Sequence, residues 1–512
     1  MSRLYEKLDE YGKSNIYPYH MPGHKRRKTG DFPQKILGID ITEIDGFDNL
    51  HQPQEILREL QEKAARLYGA EESFYMVNGS TGGILSAISA VLPEGGHLLM
   101  ARNCHKSAYH AAYLRNLTVS YLYPPVLEEY DICGAVLPEQ VEEALNQEKD
   151  IGAVLVVSPT YEGRIADIEA IAEAVHAKGI PLIVDEAHGA HLGFEKHFAE
   201  NSCTRGADIV IHSVHKTLPS MTQTALLHVN GNRINRELLK RFLHIYQSSS
   251  PSYVLMASID NAMDWIERQG KNAFAVFAER YLEMCKKLSM CRHLQFVWPQ
   301  QGRQDIGKLV ISCKRAGTNS SDTGLSEKKE PAEDKKISVR DKELSGQKIY
   351  DILLKDYQLQ LEMAAGSYCL AMFTAADGPE AYSRMAEALL SLDARIDAGE
   401  FTEENDGNTS KASAESLKFA AGAEQDVIPL YQAWDRAAEL LPLEEAVGRY
   451  AGEFVNLYPP GIPILVPGER ISRERCREIM RYLKQGLNVQ GIERQRDVYL
   501  VRVLYLKIQF SE

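Results

Sequence analysis

A lysine directly after a histidine ends the segment HSVHK (212–216), which follows the short apolar run ADIVI. Burial at the end of a strand lowers the pKa of a lysine, because a low-dielectric environment disfavours the ammonium ion. The free amine can then attack an aldehyde and form a Schiff base. Lys216 is therefore a candidate nucleophile, with Ser213 and His215 beside it. Taken alone, the pattern fits a solvated loop lysine better, so the assignment needs support from other residues.

A carboxylate precedes Lys216 by one strand–helix–strand unit, since Asp185 lies near the end of the segment IPLIVDEA (180–187). Such a unit places two strand ends side by side in a parallel sheet. A carboxylate there can pair with a protonated pyridine nitrogen, which is what makes pyridoxal phosphate an electron sink. Ala187 and His188 follow in the pattern D-x-A-H, where a small side chain leaves room for a flat ring. The alternative role for Asp185 is a helix cap or a loop carboxylate.

A glycine-rich helix start supplies a candidate phosphate site. The segment VNGSTGGILSAISAVL (77–92) places Ser80 and Thr81 ahead of an apolar helix. Backbone N–H groups and hydroxyls at a helix N-terminus attract anions, although such starts are common. The segment NCHKSAYHAAYL (103–114) adds His105, whose ring can stack on a cofactor. Its alternative role is that of an ordinary loop histidine.

The elements that must position these residues alternate between helical and strand patterns. The apolar spacing predicts helices over 55–70 and 168–179, the second closed by Gly179, and strands over 152–159, 180–187 and 207–213. Fully apolar strands alternating with helices indicate an α/β fold with a mostly parallel sheet flanked by helices. Ligands bind at the carboxyl ends of the strands in such sheets, which is where the polar residues lie.

Composition shifts divide the rest of the chain. Residues 314–348 are charged and poor in apolar side chains, which predicts a mobile loop, and 399–425 have the composition of a linker. The segment 428–454 has a helical pattern, and YPPGIPILVPGERI (458–471) predicts extended strand or turn. The predicted organisation is an N-terminal arm (1–30), a large cofactor-binding domain (31–265), a small α+β domain (266–398), the linker (399–425) and a C-terminal domain (426–512).

Overall composition excludes several classes of protein. The net charge of −13 and pI near 5.7 argue against nucleic acid or an anionic membrane surface as partners. The first thirty residues contain no apolar leader pattern and no apolar run is long enough to span a membrane, so we expect neither export nor membrane insertion. Eight cysteines without a CxxC pair argue against a zinc site or a disulfide framework. We therefore expect a cytoplasmic protein with reduced thiols and no metal.

Eight motifs together resemble the bacterial ornithine/lysine/arginine decarboxylase family, which has the pyridoxal-phosphate fold type I of aspartate aminotransferase. The resemblance covers most of the chain, apart from 314–348 and 399–425, and the sequence looks like a short form without the N-terminal receiver-like domain of the large inducible members. The motifs are HMPGHK (20–25), DGFDNLHQP (45–53), NGSTGG (78–83), NCHKS (103–107), DEAHGAH (185–191), HSVHKTLPSMTQTALLHV (212–229), QSSSPSY (247–253) and YPPGIPILVPGE (458–469).

The resemblance implies a role for each residue of the candidate site. Lys216 holds pyridoxal 5'-phosphate covalently, Asp185 pairs with the pyridine nitrogen, and His215 lies beside the covalent bond. His105 stacks on one ring face, and Ala187 packs on the other. The implied cofactor-binding residues are Lys216, Asp185, His105, Ala187, His188, Ser80, Thr81, Ser213 and Ser249, the last acting on the phosphate of a neighbouring subunit in a homodimer or higher homo-oligomer.

The resemblance also implies decarboxylation of a basic amino acid, arginine first and then lysine or ornithine, to the di- or polyamine precursor. Lys216 or His215 would return a proton to the substrate Cα, and Glu469 would receive the distal cation, unless it is a surface turn residue. An aminotransferase on the same fold is one alternative, with Arg470 or Arg473 binding the α-carboxylate. A regulatory protein without activity is the other, disfavoured because every cofactor-binding position carries a competent side chain.

Overall fold

The computed structural model describes residues 2–27, 31–313, 344–401, 427–458 and 461–505. The helices are α1 (Arg3–Lys13), α2 (Gln34–Ile39), α3 (Ile56–Tyr68), α4 (Gly79–Val91), α5 (Lys106–Leu114), α6 (Pro138–Gln147), α7 (Ile168–His176), α8 (Val214–Thr217), α9 (Arg236–Tyr246), α10 (Tyr253–Trp265), α11 (Lys271–Leu288), α12 (Gly346–Tyr357), α13 (Pro379–Asp397), α14 (Leu430–Ala433) and α15 (Arg473–Lys484).

The strands belong to one large sheet and several small ones. They are β1 (Glu72–Met76), β2 (His97–Ala101), β3 (Thr118–Leu122), β4 (Val126–Leu127), β5 (Ile132–Cys133), β6 (Ile151–Val157), β7 (Leu182–Asp185), β8 (Ile209–His212), β9 (Ala225–Val229), β10 (Leu294–Phe296), β11 (Lys308–Cys313), β12 (Met363–Ala364), β13 (Tyr368–Met372), β14 (Ala438–Pro442), β15 (Val455–Leu457), β16 (Ile462–Leu465), β17 (Val489–Gln490), β18 (Ile492–Gln495) and β19 (Val498–Leu504).

The large sheet has seven strands in the order β1-β9-β8-β7-β6-β2-β3. Strand β9 runs antiparallel to β1 and β8, and the other neighbouring pairs are parallel. Val154, Ile183 and Val210 lie in adjacent central strands and are completely buried, as expected for a sheet covered on both faces. The predicted α/β fold with a mostly parallel sheet is confirmed.

The predicted elements around the site agree closely with the observed α3, β6, α7, β7 and β8. Helix α7 stops before Gly179, because the backbone turns after His176 and Gly179 then adopts a positive φ of 75°. The glycine therefore closes the turn after the helix, where the left-handed conformation favours it.

The smaller α+β unit is built on the antiparallel sheet β10-β11-β13-β12. Helix α10, a π-helical turn at Ile266–Gly270 and helix α11 follow one another without a break and lead into this unit. The boundary expected between residues 265 and 266 falls inside this continuous helical segment. The connection between the two units is consequently a helix and not a loop.

The C-terminal segment corrects one prediction. The helical pattern of 428–454 yields only the short α14, and the chain continues as strand β14, which pairs with β19. Strand β14 ends at Pro442. The chain then packs closely on β19, because a Cβ on Gly452 would lie 3.3 Å from the Val503 carbonyl carbon. Pairing with β19 therefore gives this segment a strand in place of the predicted helix. The segment 458–471 is extended or turned where it is described, as predicted.

The two low-complexity predictions fall mostly outside the described residues, which exclude 314–343 and 402–426. Ser345 caps α12 by accepting a hydrogen bond from the Lys348 N–H, so the end of the expected loop is helical. Among the described residues, no helix is both long enough and apolar enough to cross a membrane.

Candidate active site

Asp185 and Lys216 lie at the carboxyl ends of two adjacent central strands of the large sheet, a region that we call the sheet edge. Asp185 is the last residue of β7, and Lys216 lies in α8, directly after β8. These strands are parallel neighbours, with Asp185 in register with Ile211. The expectation that the two strand ends lie side by side is confirmed. The strand–helix–strand unit is not, because the connection between β7 and β8 has only a 3-10 turn at Ser202–Thr204 in place of an α-helix.

Burial controls the charges of this pair. Desolvation raises the pKa of the Asp185 carboxyl, and the Lys216 ammonium opposes the shift. Desolvation likewise lowers the pKa of Lys216, against the attraction of Asp185 and Glu362. The Lys216 amine is therefore less basic than an exposed lysine, as a nucleophilic amine requires. Asp185 Oδ1 also accepts a hydrogen bond of 3.2 Å from the Ala187 N–H.

A second carboxylate, that of Glu186, follows β7 directly and connects the ends of β7 and β8 through hydrogen bonds. Glu186 accepts hydrogen bonds from the Ser202 hydroxyl at 2.7 Å and the Ser202 N–H at 3.1 Å. His212 at the end of β8 lies 2.7 Å from Glu186, and all these groups are buried. Burial raises the pKa of Glu186 to about 8. The sequence interpretation missed this network, although its members flank Asp185 and Ser213.

Two hydroxyls converge at the N-terminus of α4. The Ser80 and Ser213 side chains hydrogen-bond to each other, and the helix begins at Gly79, which has a φ of 66°. A Cβ on Gly83 would lie 3.1 Å from Ile211 Cγ2, so this glycine allows α4 to approach β8. Hydroxyls and a helix N-terminus suit a phosphate group. Thr81, the third predicted group, is exposed on the same turn.

His105 is the N-cap of α5, and its Nδ1 accepts a hydrogen bond of 3.2 Å from the Ser107 N–H. Burial, followed by the charge of Lys216, lowers the pKa of His105 to about 4. The ring is therefore neutral at physiological pH. A neutral ring within electrostatic reach of Lys216 can stack on a flat cofactor.

His188 stands between two lysines. Its Nε2 lies 3.0 Å from Lys216 Nζ, and its Nδ1 lies 2.8 Å from Lys308 Nζ. The edge of the Tyr161 ring packs on His188 with ring centroids 4.7 Å apart. Lys308 opens strand β11 of the small unit and is 1 % exposed. Sequence interpretation missed it, although a lysine in an otherwise apolar buried strand is an unusual signal.

One acidic side chain reaches the site from the small unit. The Tyr161 hydroxyl donates a hydrogen bond of 2.5 Å to Glu362, which is exposed. The Glu362 charge partly opposes the lowering of the pKa of both Lys216 and Lys308 by burial. Glu362 therefore lies within electrostatic range of the reactive amine, and no motif pointed to it.

The remaining predicted residues lie around this centre. His215 Nδ1 lies 2.9 Å from the Thr224 carbonyl oxygen, and burial lowers the pKa of His215. Ser249 is exposed in the segment after α9. Arg470 and Arg473 are both exposed, and Arg470 donates to the Gly448 carbonyl oxygen. Neither arginine makes a described contact with the Lys216 site.

Glu469 does not have the environment expected of a substrate group. Both of its carboxylate oxygens lie 3.1 Å from Arg102 Nη2, and the carboxylate accepts the Val466 N–H at 2.9 Å. The side chains of Arg102 and Glu469 are 2 % and 14 % exposed. Arg102 already neutralises this carboxylate, which argues against the predicted role of Glu469 as the group that receives the substrate cation.

The described side chains fit pyridoxal phosphate. They combine an amine of lowered basicity, a buried carboxylate, a neutral ring and a pair of hydroxyls at a helix N-terminus. Ala187, 7 % exposed, is small enough to pack against a flat ring beside Asp185. Each feature matches one chemical requirement of that cofactor.

Comparisons with known proteins identify the family of the chain. The family profile described as "Orn/Lys/Arg decarboxylase, major domain" matches residues 2–309, and the C-terminal domain profile matches 423–492. The arginine decarboxylase of Bacillus subtilis (strain 168) is 30 % identical over 98 % of this chain and 97 % of that protein. The arginine decarboxylase of Bacillus anthracis is 28 % identical over 96 % of this chain and 94 % of its own.

Solved structures show the same fold. Lysine decarboxylase A from Pseudomonas aeruginosa has a TM-score of 0.80 at 19 % identity, covering 99 % of this chain and 80 % of its own. The lysine decarboxylase of Francisella novicida has a TM-score of 0.79 at 18 % identity, covering 99 % of this chain and 81 % of its own. With the profile match and the Bacillus relatives, these findings place the chain in the Orn/Lys/Arg decarboxylase family, as an amino-acid decarboxylase of the pyridoxal-phosphate α/β fold.

Proposed function

We propose that the chain decarboxylates a basic amino acid, arginine first and then lysine or ornithine, with pyridoxal phosphate held at Lys216. The observation that carries the proposal is the buried pair of Lys216 and Asp185 at the sheet edge. The names of the Bacillus relatives support arginine as the first substrate to test. A product amine of this kind is a di- or polyamine precursor.

Several residues of the site can hold the cofactor. Lys216 would bind it covalently, Asp185 would face the ring nitrogen, and His105 and Ala187 would contact the ring faces. Ser80 and Ser213, with Thr81 on the same turn, would bind its phosphate. When bound, pyridoxal phosphate supplies an electron sink that accepts the bonding pair as CO₂ leaves.

The protein groups control charge and protons around that chemistry. The Asp185 carboxylate stabilises positive charge on the group that it faces, because water is excluded there. Lys216 is free to move a proton once the substrate amine has displaced it, and its Nζ can return that proton to Cα. His215, on the next residue, is the alternative proton donor.

The site carries a carboxylate that can bind the basic side chain of a substrate. Glu362 carries an exposed carboxylate near Lys216 and is oriented by the hydrogen bond from Tyr161. A guanidinium or ammonium group would pair with it by charge-assisted hydrogen bonds. We assign the distal cation of the substrate to Glu362, in place of Glu469.

A homodimer with shared sites completes the proposal. Ser249 is exposed between two further exposed serines, so its hydroxyl is free to reach a second subunit. A closed dimer would place the same segment of each subunit at the site of the other. We further propose that this dimer acts in the cytoplasm on a small-molecule substrate.

The deciding experiment measures CO₂ release from carboxyl-labelled arginine, lysine and ornithine, each offered separately to the purified holoenzyme. We expect release from arginine to be fastest. Formation of a 2-oxo acid without CO₂ would instead indicate an aminotransferase, and no turnover with any amino acid would favour the regulatory alternative. Lys63→Met, on the distant helix α3, is the matched control because, among the described residues, Lys63 forms ion pairs with Asp264 and Glu267 and with no group of the site.

A further inference from the structure

A buried chain of three side chains joins the two units of the molecule at the reactive amine. Lys308 Nζ lies 2.8 Å from His188 Nδ1, and His188 Nε2 lies 3.0 Å from Lys216 Nζ. Lys308 and His188 are 1 % and 7 % exposed. Two charged lysines on one imidazole would repel each other where water is excluded. One of the two is therefore expected to be deprotonated.

Hydrogen-bond chemistry determines how many protons the chain can hold. An ammonium group only donates, whereas a neutral imidazole has one donor nitrogen and one acceptor nitrogen. Burial, Lys216 and Lys308 lower the pKa of His188 well below its usual value, so the ring is neutral. A neutral His188 can accept from one lysine and must donate to the other. With both hydrogen bonds made, the lysine that accepts from His188 is a free amine, and only the other lysine can carry a charge.

Three carboxylates act on Lys308 and two act on Lys216, so the nearby negative charge favours Lys308 as the charged member. The carboxylates that act on the lysines are Asp305, Glu162 and Glu362 around Lys308, and Asp185 and Glu362 around Lys216. The Lys216 charge opposes a charged Lys308, and His105 and His191 act on His188 together with the two lysines. Asp305 is held by His191 at 2.9 Å and by the Gly307 N–H at 3.0 Å. Burial lowers the pKa of Lys308 to about 8, which still leaves it protonated near neutral pH.

We propose that Lys308, acting through His188, is the positioning residue that keeps Lys216 a free amine and exchanges one proton with it. In the resting arrangement, charged Lys308 donates to His188 Nδ1, and His188 Nε2–H donates to the Lys216 amine. Reversal of the imidazole tautomer moves the proton to Lys216. The inference rests on the proposed function in one respect, namely that Lys216 is the lysine that binds the cofactor.

The exchange balances the protons of a decarboxylation. The bond from Cα to the carboxylate breaks, CO₂ leaves, and a Cα–H bond forms with a proton from Lys216 Nζ. Lys216 takes a proton from His188 Nε2, His188 Nδ1 takes one from Lys308, and Lys308 takes one from solvent. Each turnover therefore consumes one solvent proton, with no oxidant or reductant.

The test measures the pKa of the Lys216 amine in the full-length protein freed of cofactor. Trace labelling with an amine-reactive acylating agent over a pH series, read by peptide mass spectrometry, gives the titration of Lys216 alone. Lys308→Met removes the charge but keeps an unbranched side chain of nearly the same length. Without the charge of Lys308, Lys216 can be an ammonium that donates to His188. We expect the pKa of Lys216 to rise by about one unit, which is about a tenfold loss of reactivity near neutral pH.

Matched variants separate charge from packing. Lys63→Met should leave the Lys216 titration unchanged, and Lys308→Arg, which keeps a fixed positive charge, should restore it towards that of the unmodified protein. A Lys308→Met titration that superimposes on that of the unmodified protein would overturn the proposal. This outcome is independent of decarboxylation, so failure to release CO₂ from any amino acid would remove the proposed function alone.

A second variant tests the proton exchange. His188→Gln has one donor and one acceptor group, so it can keep both hydrogen bonds, but it cannot exchange tautomers. We expect a near-normal Lys216 titration, a kcat about tenfold lower with KM little changed, and a larger solvent isotope effect. Unchanged kcat and isotope effect in His188→Gln would overturn the exchange. The same measurements decide the proposal if Lys308→Met does not fold.

Discussion

The sheet edge and the small unit contribute to the site in different ways. The sheet edge holds Asp185 at the end of β7 and Lys216 in α8, just after the adjacent strand β8, where rigid parallel pairing sets their separation. The small unit contributes Lys308 from strand β11 and Glu362 from the residue before strand β12, far along the chain. The sheet edge thus carries groups suited to the cofactor, and the small unit carries charges that act on the amine and the substrate. Changes in the first should abolish chemistry, whereas changes in the second should alter charge state and selectivity.

The largest effect is expected from Lys216→Ala. Without the amine, the site loses both its covalent attachment and a proton donor, so we expect CO₂ release to fall by about a thousandfold or more. Borohydride reduction of the unmodified holoenzyme should leave a pyridoxyl mass on the Lys216 peptide. A reduced peptide without that mass would show that the reactive amine is not on the sheet edge.

Asp185→Asn comes next. The amide keeps the shape of the side chain but removes the charge, so we expect kcat to fall by about a hundredfold while the cofactor still attaches. Visible absorption after cofactor addition measures attachment separately from turnover. Near-normal turnover would mean that another carboxylate has this role.

Ser249 tests whether two subunits share their active sites. If its hydroxyl reaches the cofactor phosphate of a second subunit, Ser249 acts on the cofactor as the sheet-edge residues do. Ser249→Ala should weaken cofactor affinity by about tenfold. Mixing Lys216→Ala with Ser249→Ala chains should restore one intact site per heterodimer, and cofactor titration would measure the recovery. Mixtures no better than the average of the two variants would exclude shared sites.

Glu362→Gln tests the selectivity assigned to the small unit. Loss of the carboxylate removes a charge-assisted hydrogen bond to the distal cation, so we expect KM for arginine to rise by about tenfold. The kcat value should change less, because Glu362 does not touch the bond that breaks. Tyr161→Phe, which removes only the hydroxyl that orients Glu362, should produce a smaller change of the same sign.

The smallest effect on catalysis is expected from Glu469→Gln. Its carboxylate neutralises buried Arg102, so the substitution should cost about 2 kcal/mol of unfolding free energy while KM for arginine stays unchanged. Thermal unfolding and steady-state kinetics on the same preparation give both quantities. A large rise in KM with unchanged stability would return the substrate role to Glu469.

Sequence reasoning predicted the sheet edge because its motifs follow strands that are consecutive in the chain. The run before Lys216 and the run before Asp185 are both apolar and short, and consecutive parallel strands become neighbours. The predicted helix between them is absent, since the connection has only the 3-10 turn Ser202–Thr204. The same reasoning failed over 428–454, where the local pattern is helical but pairing with β19 produces a strand. Local propensity is weak beside backbone pairing that a distant segment offers.

The sequence by itself determined the α/β class, the candidate lysine, its carboxylate and the phosphate turn, because each depends on residues close together along the chain. Only the tertiary structure decided that Lys308 joins Lys216 through His188, that Glu362 faces the site, and that Glu469 is neutralised by Arg102. These contacts join segments separated by long stretches of chain. Their charges interact strongly only when folding removes water and brings the groups within hydrogen-bonding distance.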